Sequence, residues 1–92
     1  MSMTKVEGEK RGEIILFALS TCIWCRKTKE LLDSKNIEYN YVFVDKLSGD
    51  EKEKVKTELK EWNAACSYPT IVVNGKCIVG FEEDEIISEI IK

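Results

Sequence analysis

Two cysteines three residues apart are the residues of this 92-residue chain best suited to chemistry, in the segment Cys22-Ile23-Trp24-Cys25. They stand where an apolar segment of strand length gives way to a segment with helical periodicity. The first cysteine of such a junction lies beside unpaired backbone N–H groups and the positive end of the helix dipole, which favour thiolate over thiol. The second lies on the same side of the first turn, so the pair can form a disulfide with little backbone movement. The pattern predicts thiol-disulfide exchange.

The other two cysteines leave further interpretations open. Four cysteines allow a zinc or iron-sulfur site, but zinc ribbons need two close pairs, whereas Cys66 and Cys77 are single and far downstream. We expect Cys77, in a short apolar strand, to belong to the core, and Cys66 to be either structural or an extra thiol near Pro69. The chain contains no histidine, which excludes Cys-His nucleophile pairs and Cys2His2 zinc sites within it.

Composition limits the classes of function. With 43% hydrophobic and 34% charged residues, the chain is expected to form one domain with a modest core. A net charge of −3 with interspersed signs gives no reason to expect nucleic acid as a partner. No apolar run has the length of a membrane span, and the first residues are too polar for a signal peptide. We therefore expect a cytoplasmic protein in a reducing compartment.

Hydrophobic periodicity predicts seven elements that position the cysteine pair. Residues 1–12 hold almost nothing to bury, so they are expected to be a disordered tail, with the domain spanning 13–92. The predicted elements are a strand at 13–19, a helix at 23–36, a strand at 37–45, a helix at 48–65, strands at 70–73 and 76–79, and a helix from Glu82 onward.

The second predicted helix has an apolar stripe of Val55, Leu59 and Trp62, at spacings of four and three residues. All three are therefore expected in the core. Ser48 and Glu51 at its start have the spacing of a capping box.

The order of the elements predicts the architecture. A strand, a helix and a strand in succession favour a parallel βαβ unit, and Asn74-Gly75 between two short apolar runs predicts an antiparallel hairpin. The order βαβαββα then gives an α/β fold of the thioredoxin-like type, with a four-stranded mixed sheet and three helices on both faces.

Three markers in these positions resemble the glutaredoxin branch of the thioredoxin superfamily. They are the CxxC segment with Trp24 before its second cysteine, the sequence Tyr68-Pro69-Thr70 before the third strand, and Gly80-Phe81 before the last helix. The resemblance implies a dithiol enzyme that reduces protein or small-molecule disulfides. It also implies that Cys22 is the nucleophile, that Cys25 is the resolving thiol, and that Pro69 is a cis proline beside which the backbone of Tyr68 binds substrate or a thiol cofactor.

The resemblance extends to the substrate surface and the electron donor. Trp24 and Ile23 are expected to form an exposed apolar contact that Phe81, next to Gly80, completes, while packing in the core is the alternative for Trp24 and Phe81. No bound prosthetic group is implied, and the donor is a small thiol (glutathione or another) or a thioredoxin reductase. Leu19 stands where glutaredoxins usually have a lysine, and acidic residues follow Phe81, so weak use of glutathione is expected.

The glycine-phenylalanine pair also resembles the glutaredoxin-like hydrogen donors of ribonucleotide reductase. That enzyme and other disulfide-containing proteins are therefore expected partners of a monomer. Two rival functions remain: a metal-binding or [2Fe-2S] cluster-binding glutaredoxin-like protein, in which Cys22 with or without Cys25 is a ligand, and a binding module that senses oxidation.

Overall fold

The computed structural model describes residues 3–65 and 67–90. A five-stranded sheet forms its centre and three helices cover it. The strands are β1 (Thr4–Val6), β2 (Ile14–Ala18), β3 (Tyr39–Phe43), β4 (Thr70–Val73) and β5 (Lys76–Val79). The helices are α1 (Ile23–Ser34), α2 (Gly49–Trp62) and α3 (Glu83–Ile90), with a short 3-10 turn at Val44–Lys46.

The strand order is β1-β3-β2-β4-β5, and β2 is the central strand. It pairs in parallel with β3, as the predicted βαβ unit requires, and antiparallel with β4. The hairpin of β4 and β5 turns at Asn74 and Gly75, whose φ angles of 50° and 87° are those of the turn that the Asn-Gly pair favours. The thioredoxin-like fold is therefore confirmed.

Two core clusters cover the two faces of the sheet. Alternate residues of β2 enter opposite clusters, because neighbouring side chains of a strand point to opposite faces. Leu16 packs with residues of α1 and α3, such as Leu32 and Ile86, whereas Phe17 packs with Val55 of α2. The helices thus lie on both faces as predicted. None of the helices in the described residues is long and apolar enough to cross a bilayer.

The sheet has five strands where four were predicted. The additional strand, β1, lies within residues 1–12, which were expected to be a disordered tail. Thr4–Val6 pairs antiparallel with β3 at one edge of the sheet, and Val6 is partly buried against the core. Glu9 continues the contact through backbone hydrogen bonds with Asn36 and Glu38. The segment adds to the sheet by backbone pairing, which needs no apolar periodicity, so its polar composition concealed it.

Two expectations about α2 are wrong. Ser48 is the N-cap residue, but its side chain makes no capping hydrogen bond, so no capping box forms. Val55 and Leu59 are buried in the core, whereas Trp62 is 38% exposed. Trp62 is the last residue of the helix, beyond the buried Val55 and Leu59.

The contrast between Leu59 and Trp62 can be tested by substitution. Leu59→Ala leaves a cavity in a fully buried site and is expected to lower the free energy of unfolding by about 2–5 kcal/mol. Trp62→Ala removes a larger side chain but less buried contact, and a loss of about 1–2 kcal/mol is expected. Urea unfolding followed by circular dichroism measures both. A loss for Trp62→Ala equal to or above that for Leu59→Ala would contradict this description of α2.

Candidate functional site

The sulfur of Cys22 lies at the N-terminus of α1. Cys22 is the N-cap residue, and its Sγ accepts the backbone N–H of Cys25 at 3.2 Å. This is the place of a capping oxygen in other helices, where an acceptor with negative charge is stabilised by the N–H group and the helix dipole. The side chain is partly buried, so part of it faces solvent. The geometry therefore places a partly exposed sulfur next to a backbone N–H group at the start of the helix.

The sulfur of Cys25 has a different environment. Cys25 is fully buried, and its Sγ accepts the backbone N–H of Leu19 at 3.5 Å. Burial raises the pKa of Cys25 to about 12, and a side-chain hydrogen bond with Cys22 contributes to this shift. Cys25 is thus a protonated thiol at neutral pH, and its side chain is hydrogen-bonded to that of Cys22.

A tight turn connects β2 to this helix. The backbone N–H of Cys22 donates to the carbonyl oxygen of Leu19 at 3.2 Å, which closes the turn. Within it, the backbone N–H of Ser20 donates to Asp45 Oδ1 at 2.8 Å, and Ser20 Oγ donates to the other carboxylate oxygen. Because both donors bond to the charged form, the hydrogen bonds from Ser20 lower the pKa of Asp45.

A cleft of about 250 Å³ lies at the start of α1, and its lining consists of five of the six predicted substrate-binding residues. These residues are Trp24, Tyr68, Pro69, Gly80 and Phe81.

Two aromatic rings form much of this surface. The ring of Trp24 stacks on Phe81 with centroids 6.0 Å apart and an interplanar angle of 27°. Trp24 is nevertheless 54% exposed, and Ile23, the sixth predicted residue, is 61% exposed outside the cleft lining. Lys27 Nζ lies 5.8 Å from the Trp24 ring centroid. Exposed apolar side chains therefore lie next to the cysteines, and neither ring is buried in a core cluster.

The segment before β4 brings Pro69 to the cleft. The Tyr68-Pro69 peptide bond is cis, as the resemblance implied. Asn63, at the end of α2, donates through Nδ2 to Ser67 Oγ at 3.0 Å and to Thr70 Oγ1 at 3.1 Å, and Thr70 Oγ1 donates to the Ser67 carbonyl at 2.7 Å. These bonds fix the approach of the chain to Pro69.

Gly80 closes the cleft from the end of β5. Its backbone N–H donates to the Pro69 carbonyl at 2.8 Å. Its φ angle of +87° lies in the left-handed region, which favours glycine over every residue with a Cβ atom. The glycine thus allows the chain to turn from the strand toward Phe81.

Charges are distributed unevenly around the cleft. Glu82, Glu83 and Asp84 are exposed directly after Phe81, and no ion pair within the described ranges involves them. Leu19 is an aliphatic side chain packed at the margin of the core under α2. An anionic ligand would therefore meet several acidic groups here.

Cys77 takes no part in the site as described. Cys77 is partly buried and belongs to neither core cluster, so the expectation of a core residue is wrong. It lies on the edge strand β5, where one side has no neighbouring strand. Cys66 lies outside the described residues. Among the described residues, no group of three or more histidine, cysteine, aspartate or glutamate side chains is placed to hold a metal ion.

Sequence reasoning missed two features that shape this site. The bond from Ser20 to Asp45 joins residues 25 positions apart, and the amide of Asn63 bridges residues of a loop without periodicity. Asp45 directly follows the buried Val44, and a polar residue at that position is the one signal that the sequence offered for it.

Comparison with known proteins supports the resemblance to glutaredoxins that the sequence motifs indicated. The family model for glutaredoxin matches residues 14–78. An uncharacterised glutaredoxin-like 8.6 kDa protein of Clostridium pasteurianum is 40% identical over 73 residues, which are 79% of this chain and 91% of that protein.

Solved structures agree over most of the chain. The glutaredoxin of Methanosarcina mazei Go1 is 42% identical with a TM-score of 0.87, over 98% of this chain and 88% of that one. The methanoredoxin of Methanosarcina acetivorans has the same identity and TM-score, over 90% of this chain and 88% of that one. Buckwheat glutaredoxin, solved as a complex with glutathione, shares the fold at 20% identity and a TM-score of 0.65. Because the family match covers residues 14–78, with strands β2 to β4 and the cysteine pair, this chain belongs to the glutaredoxin family.

Proposed function

We propose that this protein is a thiol-disulfide oxidoreductase that reduces protein or small-molecule disulfides, with Cys22 as nucleophile and Cys25 as resolving thiol. The observation that carries the proposal is the unequal environment of two adjacent sulfurs. Cys22 is partly exposed and its Sγ accepts an N–H at the helix N-terminus, whereas Cys25 is fully buried with a raised pKa. One sulfur is suited to attack an incoming disulfide, and the other is protected until a mixed disulfide forms beside it.

The reaction proceeds in three steps. The Cys22 thiolate attacks one sulfur of the substrate disulfide; a new S–S bond forms, the old one breaks, and half of the substrate leaves as a thiolate that takes up a proton. Cys25 then loses its proton and attacks the Cys22 sulfur, which releases the second half as a thiol. Two electrons from two molecules of a small thiol, or from a dithiol reductase, restore both cysteines.

The cleft supports a substrate that offers apolar surface next to its disulfide. Trp24 and Phe81 present stacked rings, and Ile23, between the two cysteines in sequence, adds further exposed apolar surface. Among the described residues, the cleft lining contains no charged side chain. Burial of these rings and of Ile23 by a partner is favourable, because apolar area leaves water. Protein disulfides, that of ribonucleotide reductase among them, fit this surface better than a small anionic disulfide.

The electron donor is proposed to be a small thiol other than glutathione or a thioredoxin reductase. Glutathione is the ligand of the buckwheat relative, but recognition of its carboxylates needs cations. Here Leu19 supplies no charge, and Glu82, Glu83 and Asp84 lie beside Phe81. Action as a monomer in the cytoplasm, where small thiols keep cysteines reduced, is part of the same proposal.

The order of reaction of the two sulfurs can be measured by alkylation. In a Cys66→Ser/Cys77→Ser variant, iodoacetamide at pH 8 is expected to modify Cys22 first. With a pKa of about 12, Cys25 is thiolate in about one molecule in ten thousand at that pH. Mass spectrometry of tryptic peptides gives the two rates. Modification of Cys25 before Cys22 would contradict the assigned roles.

The resolving role predicts a different phenotype for each cysteine. Cys22→Ser is expected to abolish disulfide reduction, whereas Cys25→Ser is expected to accumulate mixed disulfides through Cys22 and to lose dithiol turnover. Turnover is assayed with a protein disulfide, and trapped species are found on non-reducing gels. Cys77→Ser, outside the pair, is the matched control and should keep full activity. Full activity of Cys25→Ser on protein disulfides would refute the dithiol route, and iron or zinc at one per chain or per two chains would favour the metal-binding alternative.

The acidic residues that follow Phe81 predict which reductant the protein uses. Turnover with glutathione is expected to be weak relative to other small thiols or thioredoxin reductase. The triple variant Glu82→Gln/Glu83→Gln/Asp84→Asn should raise kcat/KM for glutathione by about threefold to tenfold, because it removes three like charges near an anionic ligand. The variant Glu53→Gln/Glu58→Gln/Glu61→Gln, which removes three exposed acids of α2, controls for net charge. Saturation with glutathione in the unmodified protein, or no response to the triple variant, would contradict the argument.

A further inference from the structure

The turn between β2 and α1 places both sulfurs. Leu19 contributes to it twice: its carbonyl accepts the backbone N–H of Cys22, and its own N–H donates to Cys25 Sγ. Cys22 in turn begins the helix, with its sulfur on the N–H of Cys25. A shift of this short turn would therefore move Cys22 away from the helix N-terminus and Leu19 away from Cys25 at the same time.

One carboxylate from a neighbouring strand holds this turn. Asp45 accepts both the backbone N–H and the hydroxyl of Ser20, the residue between Leu19 and Thr21. Asp45 lies two residues beyond the end of β3, and its position is fixed because Phe43 pairs with Ala18 and Val44 is buried in the core. Two hydrogen bonds to one charged group restrict both the position and the rotation of the turn.

The charge of Asp45 also acts on the buried thiol. Burial is the largest cause of the raised pKa of Cys25, followed by the hydrogen bond with Cys22, and the negative charge of Asp45 adds to the same direction. This charge is the smallest of the causes and opposes ionisation of Cys25, so any assistance that Asp45 gives to the second step comes from position and not from charge. An uncharged side chain with an oxygen acceptor would keep part of the hydrogen bonding to Ser20 and lose the effect of the charge on Cys25.

We propose that Asp45 is a positioning residue for the redox pair, which through Ser20 fixes the turn that sets the distance and orientation of the two sulfurs. The inference rests on the proposed function and deepens it. The step that depends most on this placement is the second one, in which the Cys25 sulfur attacks the Cys22 sulfur and the Cys22–substrate bond breaks. That step is intramolecular, and its rate depends on alignment of three sulfur atoms. The first step needs an accessible Cys22 at the helix N-terminus but no alignment with the Cys25 sulfur.

The test compares the two steps in the Cys66→Ser/Cys77→Ser background. Mixing with Ellman's reagent releases one coloured thiolate when Cys22 attacks and a second when Cys25 resolves, and acid quenching with mass spectrometry measures the mixed disulfide between them. Asp45→Ala is expected to slow the second release about tenfold or more, with a smaller effect on the first, and to accumulate mixed disulfide. Ser20→Ala, which keeps the backbone bond, should produce a smaller change in the same direction.

Asp45→Asn separates position from charge, because it keeps one acceptor oxygen for Ser20. It is expected to slow the second release less than Asp45→Ala does. Glu58→Ala, which removes an exposed carboxylate from α2, should leave both rates unchanged. Thermal unfolding of every variant checks the fold. If Asp45→Ala does not fold, the rates of the second release in Asp45→Asn and Ser20→Ala test the role of Asp45.

Amide hydrogen exchange gives a readout that is independent of activity. In reduced protein, the N–H of Cys22, which donates to Leu19, is expected to lose protection in Asp45→Ala and to keep it in Glu58→Ala. Unchanged exchange and unchanged second release in folded Asp45→Ala would overturn the role of Asp45. Release of a single thiolate by the parent protein, with exchange still dependent on Asp45, would instead refute the resolving role of Cys25 while the hold on the turn stands.

Discussion

The chemistry of this protein depends on where α1 begins. A helix leaves its first N–H groups without partners, and here one of them, from Cys25, is satisfied by a sulfur atom of the N-cap residue. That position exists because β2 is the central strand, paired on both sides and covered on both faces, so its end is a fixed point from which the helix starts. The sheet therefore fixes the position of Cys22, the proposed nucleophile.

Burial then gives the two cysteines different properties. They lie within one helical turn and share the same field, yet Cys22 reaches solvent and Cys25 does not. Desolvation disfavours the charged form of a thiol, so the buried member keeps its proton while the accessible member benefits from the helix N-terminus. In the proposed mechanism, this difference determines which sulfur attacks the substrate and which one resolves the mixed disulfide. The environment of each sulfur, more than the CxxC spacing itself, assigns the order of events.

The parts of the fold that follow from local patterns were predictable, and those that depend on distant contacts were not. Strands β4 and β5 agree with the predicted ranges, because an Asn-Gly turn between apolar runs has one favoured geometry. Thr4–Val6 escaped prediction because an edge strand can be held by backbone bonds alone. Trp62 fitted the apolar period of α2, but periodicity does not show where the underlying core ends.

The same distinction applies to the site. The cysteines, Trp24 and Pro69 were found because their types and local spacing resemble a known family. Asp45 was not found, since its effect arises only when the parallel pairing of β2 and β3 brings it to Ser20. A single aspartate after a strand carries no local pattern that indicates such a contact.

The exposed rings beside the cysteines show how the site combines stability with recognition. Burial of apolar surface is favourable by about 25 cal/mol for each Å², so exposed rings have a higher free energy in water than when they are buried. The stack of Trp24 on Phe81 covers one face of each ring, which reduces this cost and holds the rings in place before a partner binds. Lys27 over the indole adds a further restraint. A surface fixed in advance loses little side-chain entropy on binding, so the exposed Trp24 ring is suited to the partner contact proposed above.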